Sequence, residues 1–279
     1  MKQFGRRYQL ALGNPHDGVL IDALRVSFDL CKTIDAKPNP AQICIWNLNR
    51  THLNQLLSGT FKRVALSVGY AELRLLYTGD ILKATLQRDG LDSILVLECA
   101  DGDTDYRTAR VSLTLKAGTS DQQAIQQLAH SLDQTQLGTV AQGRLNSLPR
   151  GRIFCGNTRD ALSQIAQANQ ADWSIQDGEL LMLPAQQVLS DEAVLVSQDT
   201  GMIGAPEASE DGLIVTALLN PAIRIGGLIR VHSITESFNG DYKVISVSHC
   251  GDTYGDEWLT MMTAIGGNFT PLHQQDRQK

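Results

Sequence analysis

The sequence predicts a mainly-β protein with an α+β insert: two small antiparallel β-barrel domains flanking a helix-containing module. Three observations carry this. Residues 6 to about 115 alternate apolar and polar side chains with period two. Between 118 and 170 the apolar residues switch to helical spacing. After 193 the strand pattern returns, punctuated by Gly and Asn-Pro.

In LRVSFDL, Val26, Phe28 and Leu30 alternate with Arg25, Ser27 and Asp29, the mark of a half-buried strand. AQICIWNL (41–48) follows the turn-rich DAKPNP, and KRVALSVGY (62–70) puts Val64, Leu66, Val68 and Tyr70 on one face. RLLYTGDIL, KATLQRDG and LDSILVLECADG continue the pattern to residue 102, with an Asp-Gly hairpin signal inside RDGLD. NRTHLNQLLSG (49–59) interrupts as a short helix that Asn49 or Thr51 can cap and Gly59 can end.

GTSDQQAIQQLAHSLDQ (118–134) reads as a helix through Ala124, Ile125, Leu128, Ala129 and Leu132, with Ser120 and Gln123 as a capping box. A loop with Gly143, Pro149 and Gly151 precedes a second helix, NTRDALSQIAQANQ (157–170). Its stripe is Ala161, Leu162, Ile165 and Ala166, and Asn157 or Thr158 caps it. ADWSIQDGELLMLP then gives two short strands about Asp177-Gly178. The expected units are 1–115, 116–187 and 188–266, followed by a polar tail, 267–279, that is disordered or ordered by a partner.

A chain of 279 residues holds about two or three domains. Its 42% hydrophobic content suffices for a core without staples. A formal charge of −6 gives no electrostatic footprint for nucleic acid, and the densest basic run, GRLNSLPRGR (143–152), reads as a solvated loop. Five widely spaced cysteines (Cys31, Cys44, Cys99, Cys155, Cys250) lack zinc-ligand spacing and are expected as reduced, mostly buried thiols of a protein made in a cytoplasm. No run reaches the ~18 apolar residues that span a bilayer, and the N-terminus lacks a signal-peptide core, so a soluble protein without a cleavable signal is expected.

The densest cluster of chemistry-bearing side chains is His249, Cys250, Asp252, Asp256 and Glu257. Asn239-Gly240 reads as a hairpin turn leading into it. On the strand, Lys243, Ile245, Val247 and His249 face one way, while Tyr242, Val244, Ser246, Ser248 and Cys250 face the other. His249 and Cys250 therefore cannot share an ion without a bulge. Cys155 precedes a helix N-terminus and could be a nucleophile with His130 or His249 as base, but a small buried thiol is the commoner role. Asp101, Asp103 and Asp105 open like a calcium loop, yet Tyr106 stands at position six and Ser112 at twelve, so a solvated turn is expected. Phosphate-loop motifs are absent. Trp46, Trp173 and Trp258 read as core or interface anchors. No residue is assigned a catalytic, cofactor-binding or metal role, no cofactor is expected, and the chain is not read as an enzyme.

The run RVSFDLCKTIDAKPNPAQICIWNLNRTHLNQL resembles the N-terminal segment of small baseplate hub proteins of contractile-tailed bacteriophages, with Pro38, Asn39, Ala41, Ile43, Ile45, Asn47 and Leu48 matching the pattern. VALSVGYAELRLLYTGDI, the 201–233 segment with Leu-Leu-Asn-Pro, and GDYKVISVSHCGDTYGDEWLT resemble its later segments. The likeness spans nearly the whole chain and implies a T4-hub-like fold. It places His249, Gly251 and Asp252 in a family turn, and Gly79-Asp80 in another tight turn or bulge.

The resemblance also implies a homotrimer. Its six barrels form a pseudo-sixfold ring, one face on the hexameric tail tube protein and the other on the trimeric central spike protein. Baseplate wedge and tape-measure proteins are further implied partners, and DNA passes through the lumen without specific binding. The implied location is the virion tail, without membrane insertion. Two alternatives remain open: a tail-associated cell-wall hydrolase, and a glycan- or wall-binding module.

Overall fold

The computed structural model describes residues 5–141, 147–190 and 192–272. The first part of the chain forms β1 (Arg7–Gly13), β2 (Gly18–Ile21), β3 (Val26–Thr33), β4 (Asn39–Trp46), α1 (Arg50–Leu57), β5 (Arg63–Gly69), β6 (Leu73–Asp89) and β7 (Asp92–Asp101). The middle contains α2 (Asp103–Thr108), β8 (Arg110–Leu115), α3 (Asp121–Ala129), β9 (Gln136–Val140), β10 (Arg152–Asn157), α4 (Thr158–Ala168), β11 (Ala171–Gln176) and β12 (Glu179–Pro184). The last part is β13 (Gln187–Val188), β14 (Ala193–Ser197), β15 (Met202–Ser209), β16 (Gly212–Leu218), β17 (Leu228–His232), β18 (Gly240–Asp252), β19 (Trp258–Gly266) and β20 (Thr270–Pro271).

The mainly-β expectation holds. The strands of the two ends are hydrogen-bonded into one sheet, with β3 pairing antiparallel to β18 from Ser27↔Asp252 to Thr33↔Ser246. This sheet curls around two cores. The first holds Leu10, Phe28, Ile43, Leu66, Tyr77 and Leu97, and it takes in Trp258 and Leu219 from the far end of the chain. The second holds Val215, Ile229, Val244, Val247 and Met262, and it takes in Ile34 from the near end. A third core, around Ile125, Leu128, Leu162, Ile165 and Trp173, lies in the insert.

β12 binds the insert to the second core. Leu180 and Met182 enter the insert core, whereas Leu181 and Leu183 enter the second. Successive side chains of a strand point to opposite faces, so a continuous apolar run serves two cores at once.

Several local readings change in three dimensions. Segments 74–82 and 83–90 are one strand, β6, because a register shift between Ile81 and Lys83 bends it without ending it. The hairpin that follows turns on Gly90 and Leu91, since Asp89 pairs with Asp92. Part of the expected loop after α3 is extended as β9 and β10, which take hydrogen bonds from β12 and β8. Of the basic run 143–152, residues 143–146 lie outside the described residues, Leu148 is buried and Arg152 begins β10. Asn239-Gly240 is not a tight turn: a 3₁₀ turn over Glu236–Phe238 closes a longer loop between β17 and β18. Within the expected polar tail, Thr270–Pro271 pair with β13 and Leu272 is buried in the second core, where its apolar side chain leaves water. Residues 273–279 of that tail lie outside the described residues.

The helix caps follow the sequence. Asn49 accepts from the His52 N–H, and Ser120 and Gln123 form the capping box. At α4, Asn157 is the N-cap residue, but its side chain donates to Asp160 and does not accept from the helix.

Neither Gly-Asp pair marks a turn; both lie inside strands, Gly79-Asp80 in β6 and Gly251-Asp252 in β18. A side chain on Gly251 would stand 2.6 Å from the Phe28 ring and 2.7 Å from the Trp258 ring. Those rings pack edge to face at 5.4 Å. Gly251→Ala is therefore expected to cost about 1–3 kcal/mol by overpacking. Urea denaturation with an unchanged midpoint would contradict this packing account.

Candidate functional site at the junction of the three cores

The side chains of greatest chemical interest gather where the tip of the β11–β12 hairpin meets the first β-module. Asp177 (φ 56°) and Gly178 (φ 80°) both adopt left-handed backbone, which Asp and Gly tolerate in a two-residue turn. The inward face of β3 runs Val26, Phe28, Leu30, Lys32, so the apolar stripe ends in an ammonium where the core runs out. Lys32 Nζ donates to both Asp177 carboxylate oxygens, at 2.6 and 2.7 Å. The Asp101 carboxylate, at the end of β7, accepts from the N–H groups of Asp177 and Gly178, the latter at 3.1 Å. Asn39 Nδ2 donates to the Ile175 carbonyl at 3.0 Å, and its Oδ1 accepts from the Thr33 N–H at 3.0 Å. Gln176 Nε2 returns to the Thr33 carbonyl at 2.7 Å.

Three strands of one module thus hold one turn of another. Each buried backbone donor at the turn receives an acceptor, which avoids the ~1–3 kcal/mol cost of an unpaired group. Burial pushes the Asp101 carboxyl up to about 7, and the nearby Asp177 charge adds to this. Lys32 and the two donated N–H groups oppose the rise.

The carboxylates that resembled a calcium loop are neither a solvated turn nor a cluster. Asp105 is buried and accepts from Asp133 N–H (2.9 Å), Gln134 N–H (3.1 Å) and Thr135 Oγ1 (2.6 Å). Asp103 pairs with Arg107 one helical turn on, at 2.9 Å. The tertiary fold turns the three aspartates to three different tasks because Gly102 (φ 69°) and α2 separate their directions. Among the described residues, no group of three His, Cys, Asp or Glu is placed to hold a metal ion.

Lys243 secures the other side of the insert. It is 1% exposed, and its Nζ donates to the carbonyls of Pro184 and Ala185, both at 3.1 Å, at the end of β12. Burial lowers its pKa to about 8, against the pull of Asp172.

His249 lies in strand β18 and not in a turn. A register shift between Val244 and Ser246 inserts one residue, after which Val247 and His249 face inward and Ser248 and Cys250 outward. His249 Nδ1 lies 2.8 Å from Thr260 Oγ1, which also accepts from the Asn220 N–H. Burial, helped by the Lys32 charge, lowers the imidazole pKa to about 3. Asp252 takes the Arg25 guanidinium at 2.7 Å, while Asp256 and Glu257 are exposed. Cys155 is exposed on β10, not buried, because its neighbour Phe154 takes the inward position, and of the five cysteines only Cys99 is buried. It lies in the insert, whereas His249 faces the junction and bonds Thr260, and among the described residues neither His249 nor His130, at the C-cap of α3, hydrogen-bonds Cys155.

A cavity of about 330 Å³ opens beside the clamp. Its walls come from all three parts of the chain, including Leu75 and Leu76, Gln176 and Leu180, and Ile223 and Ile225. Lys32, Asp177 and His249 stand at its polar side. The neutral His249, the paired Lys32 and the carboxylates engaged by backbone amides compose a structural junction. The signal for it in the sequence is Lys32, an ammonium on the inward face of an otherwise apolar strand.

The profile of the family described as "Baseplate hub gp41" matches residues 9–250, and the chain belongs to that family. It is a structural baseplate protein of a phage tail. No curated protein matches it by sequence. Its fold is similar to that of the tail protein from Neisseria meningitidis MC58, at 12% identity and TM-score 0.69, over 95% of this chain and 98% of that one. It is similar to the prophage MuSo2 43 kDa tail protein from Shewanella oneidensis, at 9% identity and TM-score 0.64, over 94% and 97% of the two chains. It is also similar to the E. coli c3393 protein, a type VI secretion component described as resembling T4 tail proteins gp27 and gp5, at 9% identity and TM-score 0.61 over 95% and 79%. No helix among the described residues is long and apolar enough to cross a membrane.

Two outcomes follow from the junction. Lys32→Ala leaves the Asp177 carboxylate facing Asp101 and is expected to cost about 3 kcal/mol in urea unfolding. The Lys32→Ala/Asp177→Ala pair should cost less than the sum of the single changes. Additive costs would show that the two groups do not interact. The second outcome concerns pH. Below its ordinary value of 6.5 the unfolded chain protonates His249 while the folded chain does not. Stability therefore falls as pH drops from 6.5 toward 3, by about 1.4 kcal/mol per unit from this group. Equal slopes for wild type and His249→Leu in that window would refute the buried neutral imidazole.

Proposed function

We propose that three copies of the chain form a pseudo-sixfold ring that joins the hexameric tail tube to the trimeric central spike. The observation that carries this reading is the sheet that runs unbroken from β15 to β2 through both β-modules. It fixes the two modules side by side, so that three chains present six modules. The proposed units of the ring are the first module (1–115), the insert (116–187) and the second module (188–266), followed by the tail (267–279).

Tube protein and spike protein are the proposed partners, with wedge and tape-measure proteins at the periphery and along the axis. The formal charge of −6 suits a lumen that DNA crosses without sticking, since like charges repel. The ring acts by shape and symmetry and has no catalytic role, because its buried titratable groups are spent on backbone amides and on one another. It is made in the host cytoplasm and works in the virion.

Light scattering on a sizing column, across concentration and with the spike protein added, tests the ring. The expected mass is near three times 30.5 kDa. A monomer that persists even with the spike would sink the proposal.

A further inference from the structure

His249 has one more hydrogen-bonding nitrogen than the fold uses. Its Nδ1 lies 2.8 Å from Thr260 Oγ1, and that oxygen already accepts from the Asn220 N–H at 3.0 Å. Thr260 is fully buried, and its hydroxyl proton has no other acceptor among the described residues. A buried hydroxyl proton without an acceptor is costly, so the proton points to Nδ1. The neutral imidazole then carries its own proton on Nε2. Nε2 has no hydrogen-bond partner among the described residues. His249 is 2% exposed, yet it lines the junction cavity, so the donor left over faces that space.

Other donors converge on the same space. The Lys32 ammonium has three N–H bonds, of which the Asp177 carboxylate takes two. Arg224 lines the wall without an ion pair among the described residues. The carboxylates there are Asp177, held by Lys32, and Glu179, which is exposed where water and salt screen it. These four formal charges cancel in sum, so the bias is local. The charge that acts on the imidazole is the Lys32 ammonium, which helps burial to keep the ring neutral. An N–H beside a cation, partly withdrawn from water, favours an anionic acceptor over a neutral one. The volume of about 330 Å³ suits a small ligand, and exposed Glu179 and Arg224 in the walls bring the cavity to the surface.

We propose that the junction cavity is a binding site for a small carboxylate anion of the size of acetate, one oxygen accepting from His249 Nε2–H and the other from the third N–H of Lys32. The two oxygens of a planar carboxylate take two donors at once. The bound anion joins β18 to β3 across the junction, with Arg224 lending its charge from the wall. The inference concerns one copy of the chain and does not rest on the ring.

The test uses the nitrogen-15-labelled full chain near neutral pH, with chloride replaced stepwise by acetate at constant ionic strength. Long-range proton–nitrogen correlation first reads the His249 tautomer. A proton on Nε2 is expected, and a proton on Nδ1 overturns the site. Acetate is expected to move the Nε2–H signal with half-saturation on the order of 1 mM, within the ceiling for a ligand of four non-hydrogen atoms. Acetamide, of the same shape without the charge, is expected to bind about 10-fold more weakly or worse. An equal response to both overturns the anion, and no response up to about 100 mM acetate overturns the site. Acetate should also raise the melting temperature of the wild type and not that of His249→Leu. A rise retained in the variant overturns the assigned donor, and if the variant does not fold, the titration of the wild type decides.

Discussion

The antiparallel ladder between β3 and β18 is the constraint on which the rest of the molecule depends. Two strands more than 200 positions apart in the chain exchange backbone hydrogen bonds from Ser27↔Asp252 to Thr33↔Ser246. That ladder carries Trp258 into the core of the first module and holds Ile34 in the core of the second. Gly251 is the point where the ladder permits it, because only a hydrogen in place of a side chain lets the Phe28 and Trp258 rings meet. A pairing of this kind commits the relative orientation of the two modules through main-chain geometry, which is stiffer than side-chain contact.

Once the modules are fixed, the insert has one place to lie. β12 gives alternate side chains to two cores, and its two ends are held by charge. At one end Lys32 and Asp101 take the carboxylate and amides of the Asp177-Gly178 turn. At the other, Lys243 takes the carbonyls of Pro184 and Ala185. Burying ions is costly, and pairs of this type are retained where they specify one geometry among several. Here each polar group meets backbone as well as side chains, so the junction selects a register for the insert rather than simply adding adhesion.

The same arrangement gives the residues suggestive of catalysis structural partners. His249 is buried and neutral, Asp105 is saturated by two amides and a hydroxyl, and Asp252 is held by Arg25. A structural baseplate protein transmits position, and these groups supply the rigidity that position requires.

By itself the sequence determined the class of fold, the helices α1, α3 and α4, the caps of α1 and α3, and the Asp177-Gly178 and β6–β7 hairpins. These follow from period-two and 3.6-residue patterns and from turn chemistry, all of which act over a few residues. The family was legible in the order of short motifs from Pro38 to Trp258. What only the tertiary structure decided was the partner of each polar side chain. Asp101, Asp103 and Asp105 look alike in the chain, but burial and α2 give them three separate tasks. The Gly-Asp pairs read as turns because local propensity favours turns there. They lie inside strands because Gly79 must admit the Ala100 carbonyl and Gly251 the two aromatic rings. Long-range contact, unlike propensity, leaves no periodic mark: the meeting of β3 with β18, and of Lys32 with Asp177, exists only once the chain has closed on itself.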